Sequence, residues 1–162
     1  MTLVVITIPA YNEEKTLPPV LKEINDVMGK TTYTYKILVV NDGSADHTID
    51  VAKKGGALVV SHSRNRGLAE AFKTEMAECI KLNADVIVHT DADGQYPAEY
   101  IPDMIRKVIE GNDLVLGSRF GQGRYSGSLF NKMGNIMFAR VFSRLLRSRI
   151  TDTTTGFRAF TK

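Results

Sequence analysis

In this 162-residue chain, Asp91-Ala92-Asp93-Gly94-Gln95 is the segment whose residue types and spacing point most directly to chemistry. Carboxylates at i and i+2 of an extended strand end project to one side and lie about 5 Å apart. At an effective dielectric of about 20 their repulsion is roughly 3 kcal/mol. A divalent cation removes it. Oxygen donors suit Mg²⁺ or Mn²⁺, and a metal held by one or two carboxylates keeps its other positions for phosphate oxygens and water. Gln95 offers one more oxygen, directly or through water. The same residues also read as a solvated turn, because Asp-Gly is a common turn pair. An EF-hand does not fit: counting from Asp91, Tyr96 stands where Gly is required and Pro102 where Glu is required.

Other segments carry a bland reading beside a functional one. In Tyr11-Asn12-Glu13-Glu14, Asn12 is a fair helix N-cap and the two glutamates suit a first helical turn. An aromatic beside a carboxylate at a strand end could equally pack on a base and accept hydrogen bonds from a ribose. Asn41-Asp42-Gly43-Ser44 is either an Asx turn or a place where Asp42 reads the donors of a base. Arg64, Arg66 and Arg119 are seldom-buried types, either solvated or poised for phosphate, which the guanidinium fork fits. The three histidines, 47, 62 and 89, have no metal-ligand spacing, and His89 reads as structural. Neither a Gly-x-Gly-x-x-Gly after the first strand nor a Gly-Lys-Ser/Thr loop is present, so dinucleotide and P-loop binding lack support.

These residues need elements to position them. Val/Ile-rich runs of strand length occur at 3–8, 36–40, 57–61, 85–89 and 113–116, and amphipathic stretches at 14–28, 46–53, 67–82 and 99–110. Such alternation predicts a largely parallel sheet with helices on both faces, whose ligands sit outside the carboxyl ends of the strands. The segments starting at Pro9, Asn41, His62, Asp91 and Gly117 each follow a strand, so all five share one rim. Residues 120–128 read as a Gly/Ser-rich mobile loop and 129–147 as a helix, with Met133, Ile136, Met137, Val141, Leu145 and Leu146 opposite Arg140, Arg144 and Arg147. The closing Gly156-Phe157-Arg158-Ala159-Phe160-Thr161-Lys162 reads as a last strand.

Hydrophobic content of 43% and charged content of 24% suit one globular domain. The single cysteine excludes a disulfide framework and favours a reducing, cytoplasmic setting. The apolar opening lacks a basic leader and reads as a strand, not a signal peptide. No run approaches the ~20 apolar residues of a membrane span. The net charge of +3 is uneven: residues 1–118 balance at −5 and residues 119–162 at +8. The basic end calls for an anion: nucleic acid, an anionic membrane, or a phosphorylated substrate.

Taken together, Ile8-Pro9-Ala10-Tyr11-Asn12-Glu13-Glu14, Val40-Asn41-Asp42-Gly43-Ser44, Asn65-Arg66-Gly67, Asp91-Ala92-Asp93-Gly94-Gln95, Gly117-Ser118-Arg119 and Asp152-Thr153-Thr154-Thr155-Gly156-Phe157-Arg158 resemble, in order and spacing, the family-2 glycosyltransferases of the GT-A fold. The nearest likeness is to dolichyl-phosphate mannose synthases and related polyprenyl-phosphate glycosyltransferases. The resemblance implies an α/β nucleotide-diphospho-sugar transferase domain, mostly parallel sheet flanked by helices. Residues 1–118 would bind the nucleotide-sugar and metal, and 119–162 would supply an acceptor loop and basic helix. It implies a base and ribose pocket of Pro9, Tyr11, Glu13 and Asp42 with Val40 beside it. Asp91, Ala92 and Asp93 would meet the sugar-nucleotide, Asp91, Asp93 and Gln95 would bind Mg²⁺ or Mn²⁺, and Arg119 would face the phosphates.

The implied reaction is inverting transfer of a hexose, from GDP-mannose or UDP-glucose, to a polyprenyl (dolichyl) phosphate. The setting implied is the cytoplasmic membrane face, peripherally bound, with no nucleic acid involved. Two departures from the family pattern stand out. The Arg-Lys and Ser-Arg pairs expected ahead of the basic helix are replaced by Ser126-Gly127-Ser128-Leu129-Phe130-Asn131-Lys132, which leaves Arg124 and Lys132 as substitutes for holding the acceptor phosphate. The family also continues beyond Gly-Phe-Arg, so the chain reads as a carboxyl-terminal truncation. Two rival readings are a haloacid-dehalogenase-type phosphotransferase with Asp91 as nucleophile, and a non-catalytic module that binds nucleotide-sugar.

Overall fold

A computed structural model describes residues 2–118, 140–141, 143–145, 151–152 and 155–162. The chain alternates strands and helices: β1 (Leu3–Ala10), α1 (Leu17–Met28), β2 (Thr34–Asn41), α2 (Thr48–Lys54), β3 (Leu58–Ser61), α3 (Leu68–Lys81), β4 (Val86–His89), a 3-10 turn over Ala98–Tyr100, α4 (Ile101–Ile109), β5 (Leu114–Leu116) and β6 (Arg158–Thr161). These make one six-stranded sheet in the order β3-β2-β1-β4-β6-β5. β1 through β4 are parallel, and β6 runs antiparallel between β4 and β5. β5 therefore points the same way as β4, and its end reaches the same rim.

Alternation along β1 divides the core. Val4, Ile6, Ile8 and Ala10 face α1, α2 and α4, while Val5, with Leu38, Val40 and Ile87, faces Ala71 and Cys79 of α3. Ile6, Ile8, Leu21, Ile24 and Ile105 are almost wholly buried, each contributing about 1.5–3 kcal/mol. Helices on both faces leave the strand ends as the natural opening of the molecule.

The start of α1 corrects one expectation. Asn12 is not a helix cap: it sits at φ 57, and its side chain accepts the Ala45 N–H at 2.9 Å. The helix begins at Leu17 with prolines in its first turn. Pro18 and Pro19 lack the N–H that a helix interior needs but the first turn does not. Residues 12–16 form a loop instead, held by contacts to the segment after β2.

Of the helix expected over 129–147, residues 140–141 and 143–145 are described and are helical. Val141 and Leu145 are 50% and 72% exposed. The loop expected over 120–128 and the site candidates Arg119, Arg124 and Lys132 lie outside the described residues. Among those described, no helix is long and apolar enough to cross a membrane.

Candidate active site

The sheet opens where proline ends a ladder. β1 and β2 stay paired to Ala10↔Asn41, and the Asp42 N–H still donates to the Ala10 carbonyl at 2.8 Å. Between β1 and β4 the pairing stops at Thr7↔His89, with the Thr90 N–H on the Thr7 carbonyl at 3.0 Å. The next donor toward β4 would be the Pro9 N–H, which does not exist. The two strands part there. Between them lies a cleft of about 300 Å³, with Pro9, Ala10, Tyr11 and Glu13 on one side and Asp91, Ala92 and Asp93 on the other.

Asp42 builds the wall of the cleft. Its buried carboxylate accepts from the backbone N–H of Arg66 at 2.9 Å and of Gly67 at 2.8 Å, and meets the His62 ring at 2.6 Å. Burial pushes this carboxyl up, but the hydrogen bonds from His62, Arg66 and Gly67 and the His62 charge together hold it below its ordinary value. These contacts fold the loop after β3 against the loop after β2. Gly43 permits the approach: it has φ +74, and a Cβ there would lie 2.3 Å from the Arg64 carbonyl carbon. The loop after β1 is tied in as well. Asn12 N–H donates to Ser44 Oγ, Glu13 N–H to Thr48 Oγ1 and Glu14 N–H to Asp46, while Glu14 accepts the His47 N–H.

At the acidic end, Asp91 is half-buried, Ala92 buried and Asp93 exposed. Burial pushes the Asp91 carboxyl up; His89 opposes this, the Asp93 charge adds to it, Arg158 opposes it and Glu75 adds to it. Glu75, fully buried in α3, touches His89 Nδ1 at 2.8 Å and accepts the Thr7 hydroxyl at 3.2 Å, while its Oε1 has no partner among the described residues. His89 also meets the Phe72 ring edge-on, in keeping with a structural residue. Asp93 closes a turn by accepting the Gln95 N–H at 2.9 Å, and Gly94 follows at φ +73.

The segment before β6 closes over this end. Tyr96 stacks on Phe157 with ring centroids 5.3 Å apart, and its hydroxyl accepts the Gly156 N–H at 2.9 Å. That seats Gly156 against Asp91 so closely that a Cβ would lie 2.6 Å from Oδ2.

Of the candidates read from sequence, Pro9, Tyr11, Glu13, Asp42, Asp91, Ala92 and Asp93 all line the one cleft. Val40 is fully buried in the α3-side cluster, paired with Pro9 in register. Gln95 is exposed and does not line the cleft. Sequence reasoning passed over Leu68 and Ala71, which line it from α3, and His62, Tyr96 and Gly156, which hold its walls. Leu68 and Ala71 stand i, i+3 at a helix start directly after Asn65-Arg66-Gly67, and that was the available signal.

Among the described residues no group of three or more His, Cys, Asp or Glu side chains is gathered to hold a metal. The local donor set is the Asp91–Asp93 pair. Two carboxylates, one pressed toward its neutral form, fit a hard divalent cation that draws its other ligands from phosphate oxygens and water. The arrangement suits an elongated ligand with an aromatic or polar head at the Tyr11–Asp42 side and phosphates at the Asp91–Asp93 side.

Comparison with known proteins gives the family and the fold. The sequence profile of glycosyl transferase family 2 matches residues 5–162. A dolichyl-phosphate hexose transferase of Haloferax volcanii is 35% identical over 155 residues, 96% of this chain and 64% of that protein. A dolichol-phosphate mannosyltransferase of Pyrococcus furiosus is 32% identical over 167 residues, 97% of this chain and 46% of that protein. This chain thus spans less than two thirds of either relative. Glucosyl-3-phosphoglycerate synthase of Mycobacterium tuberculosis, crystallised with UDP, superposes with a TM-score of 0.75 at 22% identity, covering 99% of this chain and 57% of that one. The same enzyme with Mn²⁺, UDP-glucose and phosphoglyceric acid gives 0.73 at 21% identity, covering 99% and 56%. The shared fold is GT-A.

Proposed function

Because the chain belongs to glycosyl transferase family 2, we propose that it moves a hexose from a nucleoside-diphosphate sugar to a polyprenyl (dolichyl) phosphate, with Mg²⁺ or Mn²⁺ as the metal and GDP-mannose as the favoured donor. The observation that carries this reading is the two-ended cleft, with Tyr11, Glu13 and Asp42 facing Asp91 and Asp93 across the gap opened at Pro9. The names of the Haloferax and Pyrococcus relatives support the lipid-phosphate acceptor. UDP-glucose and Mn²⁺ in the mycobacterial structure support a sugar-nucleotide with a divalent metal and keep UDP-glucose as the alternative donor.

In this reading the exposed Tyr11 ring packs on the base, Glu13 accepts from the ribose, and Pro9 and Asp42 shape the pocket around them, with Val40 as buried support. Ala92 leaves room for the sugar-diphosphate between two carboxylates. Asp91 and Asp93 would hold the divalent cation, with Gln95, outside the cleft lining, reaching it through water; when bound, the cation supplies electrostatic stabilisation of the departing nucleoside diphosphate. Arg119 would face the same phosphates.

The acceptor phosphate is already an anionic nucleophile, so no strong general base is required. Direct displacement inverts the anomeric carbon, and a product of retained configuration would refute the scheme. Residues 1–118 act as the donor part and 119–162 as the acceptor part, with Arg124 and Lys132 meeting the acceptor phosphate. The exposed Val141 and Leu145 beside the exposed Arg140 and Arg144 suit a helix lying on an anionic membrane at the cytoplasmic face, where each basic residue contributes about 1 kcal/mol.

Family membership leaves the phosphotransferase reading of Asp91 without support. A thermal-shift panel of GDP-mannose, UDP-glucose and UDP-GlcNAc, with and without Mn²⁺, tests the proposal. A ligand at about 100 times its Kd adds about 2.7 kcal/mol, roughly 5–10 °C for a chain of this length. The expected result is a Mn²⁺-dependent shift with one donor, followed by transfer to dolichyl phosphate. No shift with any of the three sinks the proposal, and a shift without transfer or hydrolysis selects the non-catalytic module.

A further inference from the structure

His62 is the one histidine that touches the machinery of the cleft, and both of its ring nitrogens are committed. Nδ1 lies 2.6 Å from Asp42 Oδ1 and Nε2 lies 2.9 Å from Thr74 Oγ1. The Thr74 hydroxyl hydrogen is already donated to the Glu70 carbonyl at 3.0 Å. An ionised carboxylate can only accept, so the ring donates at Nδ1 to Asp42, while Nε2 closes the second hydrogen bond with Thr74. The two side chains are 6% and 7% exposed, so the pair is shielded from water, where a charge-assisted hydrogen bond is strongest. The other charged side chains nearby, Arg66 and Glu70, pair with each other at 2.9 Å on the surface.

The consequence runs through Asp42. Oδ1 takes the Arg66 N–H as well as His62, and Oδ2 takes the Gly67 N–H. Gly67 immediately precedes α3, so Asp42, in the loop after β2, takes the N–H of the helix's N-cap residue, a donor that a helix start leaves unsatisfied. Thr74, a turn and a half into the same helix, anchors the other side of the imidazole. His62 thus spans from the end of β2 to α3, and the cleft residues Asn65, Gly67, Leu68 and Ala71 ride on what it holds.

We propose that His62 is a positioning residue for nucleotide binding: it orients the Asp42 carboxylate, and through it the Arg66–Gly67 backbone that forms the α3-side wall of the cleft. This rests on the nucleotide-sugar reading of the cleft. It adds a residue that touches no ligand yet sets the shape of the pocket.

Two near-isosteric variants separate the two arms of the ring. The amide nitrogen of Asn falls near Nδ1 and that of Gln near Nε2. His62→Asn keeps a donor for Asp42, and His62→Gln keeps one only for Thr74. Titrating UDP and GDP with Mn²⁺ by calorimetry, the expected result is a rise in Kd of about 10-fold or more for His62→Gln, the scale of one lost charge-assisted bond. His62→Asn should stay within about 3-fold, although both variants lose thermal stability.

Equal losses in the two variants, or no loss in either, overturn the proposal and leave His62 a packing residue. Hydrogen exchange at the Arg66 and Gly67 amides reads the wall without any ligand: it should accelerate in His62→Gln and stay slow in His62→Asn, and the same rate in both overturns the proposal. Wild-type protein that binds neither nucleotide would refute the nucleotide-sugar reading instead, while the exchange data still decide the role of His62.

Discussion

Gly156→Ala places one methyl group against the acidic end of the cleft. The added Cβ would lie 2.6 Å from Asp91 Oδ2 and 3.0 Å from Oδ1, whereas ordinary contact begins at 3.4 Å. Something must move by about 0.8 Å for the shorter of these contacts to relax. The neighbour is the tip of a side chain, so the carboxylate can swing aside, and the overpacking cost should sit near the low end of the usual range, about 1 kcal/mol. Gly156 has no positive φ, so alanine adds no backbone strain.

The fold therefore survives, but the ligand geometry does not. A site for Mg²⁺ or Mn²⁺ tolerates displacements of only about 0.2 Å, and disturbing what orients a metal ligand typically costs about 10–100-fold in affinity. The expected outcome, by calorimetry of Mn²⁺ titrated into protein saturated with UDP or GDP, is a 10–100-fold weaker metal site with a melting temperature lowered by only about 2–4 °C. Metal-free nucleotide binding, which the proposed function assigns to the Tyr11–Asp42 side, should change less than threefold. If Gly156→Ala binds Mn²⁺ within twofold of wild type, Asp91 is not the ligand that the reasoning makes it.

Gly43→Ala should behave in the opposite way. Its Cβ would meet backbone atoms of Arg64 and Asn65 at 2.3–2.6 Å, with φ +74, and the loss, by urea denaturation, should be about 2–4 kcal/mol. Asp42→Asn should cost about 1.5–3 kcal/mol at pH 7. Its carboxyl is held below 3.8 in the fold, so it stabilises above that pH and the contribution fades as pH falls through the folded value. The gap between Asp42→Asn and wild type should therefore close in acid. Asp91→Asn carries the reverse sign. Burial raises the Asp91 carboxyl above 3.8, so ionisation destabilises the metal-free fold. The variant should melt above wild type at pH 7, with the margin closing as pH falls to 3.8. A wild type that melts higher at neutral pH without metal would refute that assignment.

The strands were legible because their apolar runs survive any tertiary context. β1, β4 and the second half of β2, from Ile37 to Asn41, are buried on both faces and read as continuous Val/Ile-rich segments. The start of α1 was not. Asn12 carries a capping signature, but tertiary partners in the loop after β2 won the side chain, and Pro18-Pro19 was the better marker of where the helix begins. In the site, Asp91, Asp93, Tyr11 and Asp42 were recognisable because their types are unusual at strand ends. Tyr96 and Gly156 were not, since their contact joins residues 60 positions apart. His62 was weighed only for metal spacing, and its role depends on Asp42 and Thr74, 20 and 12 residues away. Local pattern exposes groups that act through their own type; it hides groups that act through a distant partner.

The placement of β6 has a consequence for how the chain assembles. β4 and β5 do not touch as neighbours; β6 lies between them and pairs with both. On a ribosome, β5 emerges with no strand to dock on until residues 158–161 follow, and closing so long a loop is entropically expensive and slow. Until then β4 presents a bare edge, the kind that recruits other chains. The same docking brings Gly156 to Asp91, so the carboxylates after β4 gain that neighbour only once β6 is in place. A chain stalled before that step would hold β1, β2 and β3 in place with the α3-side wall formed, and would lack the cover over its acidic end.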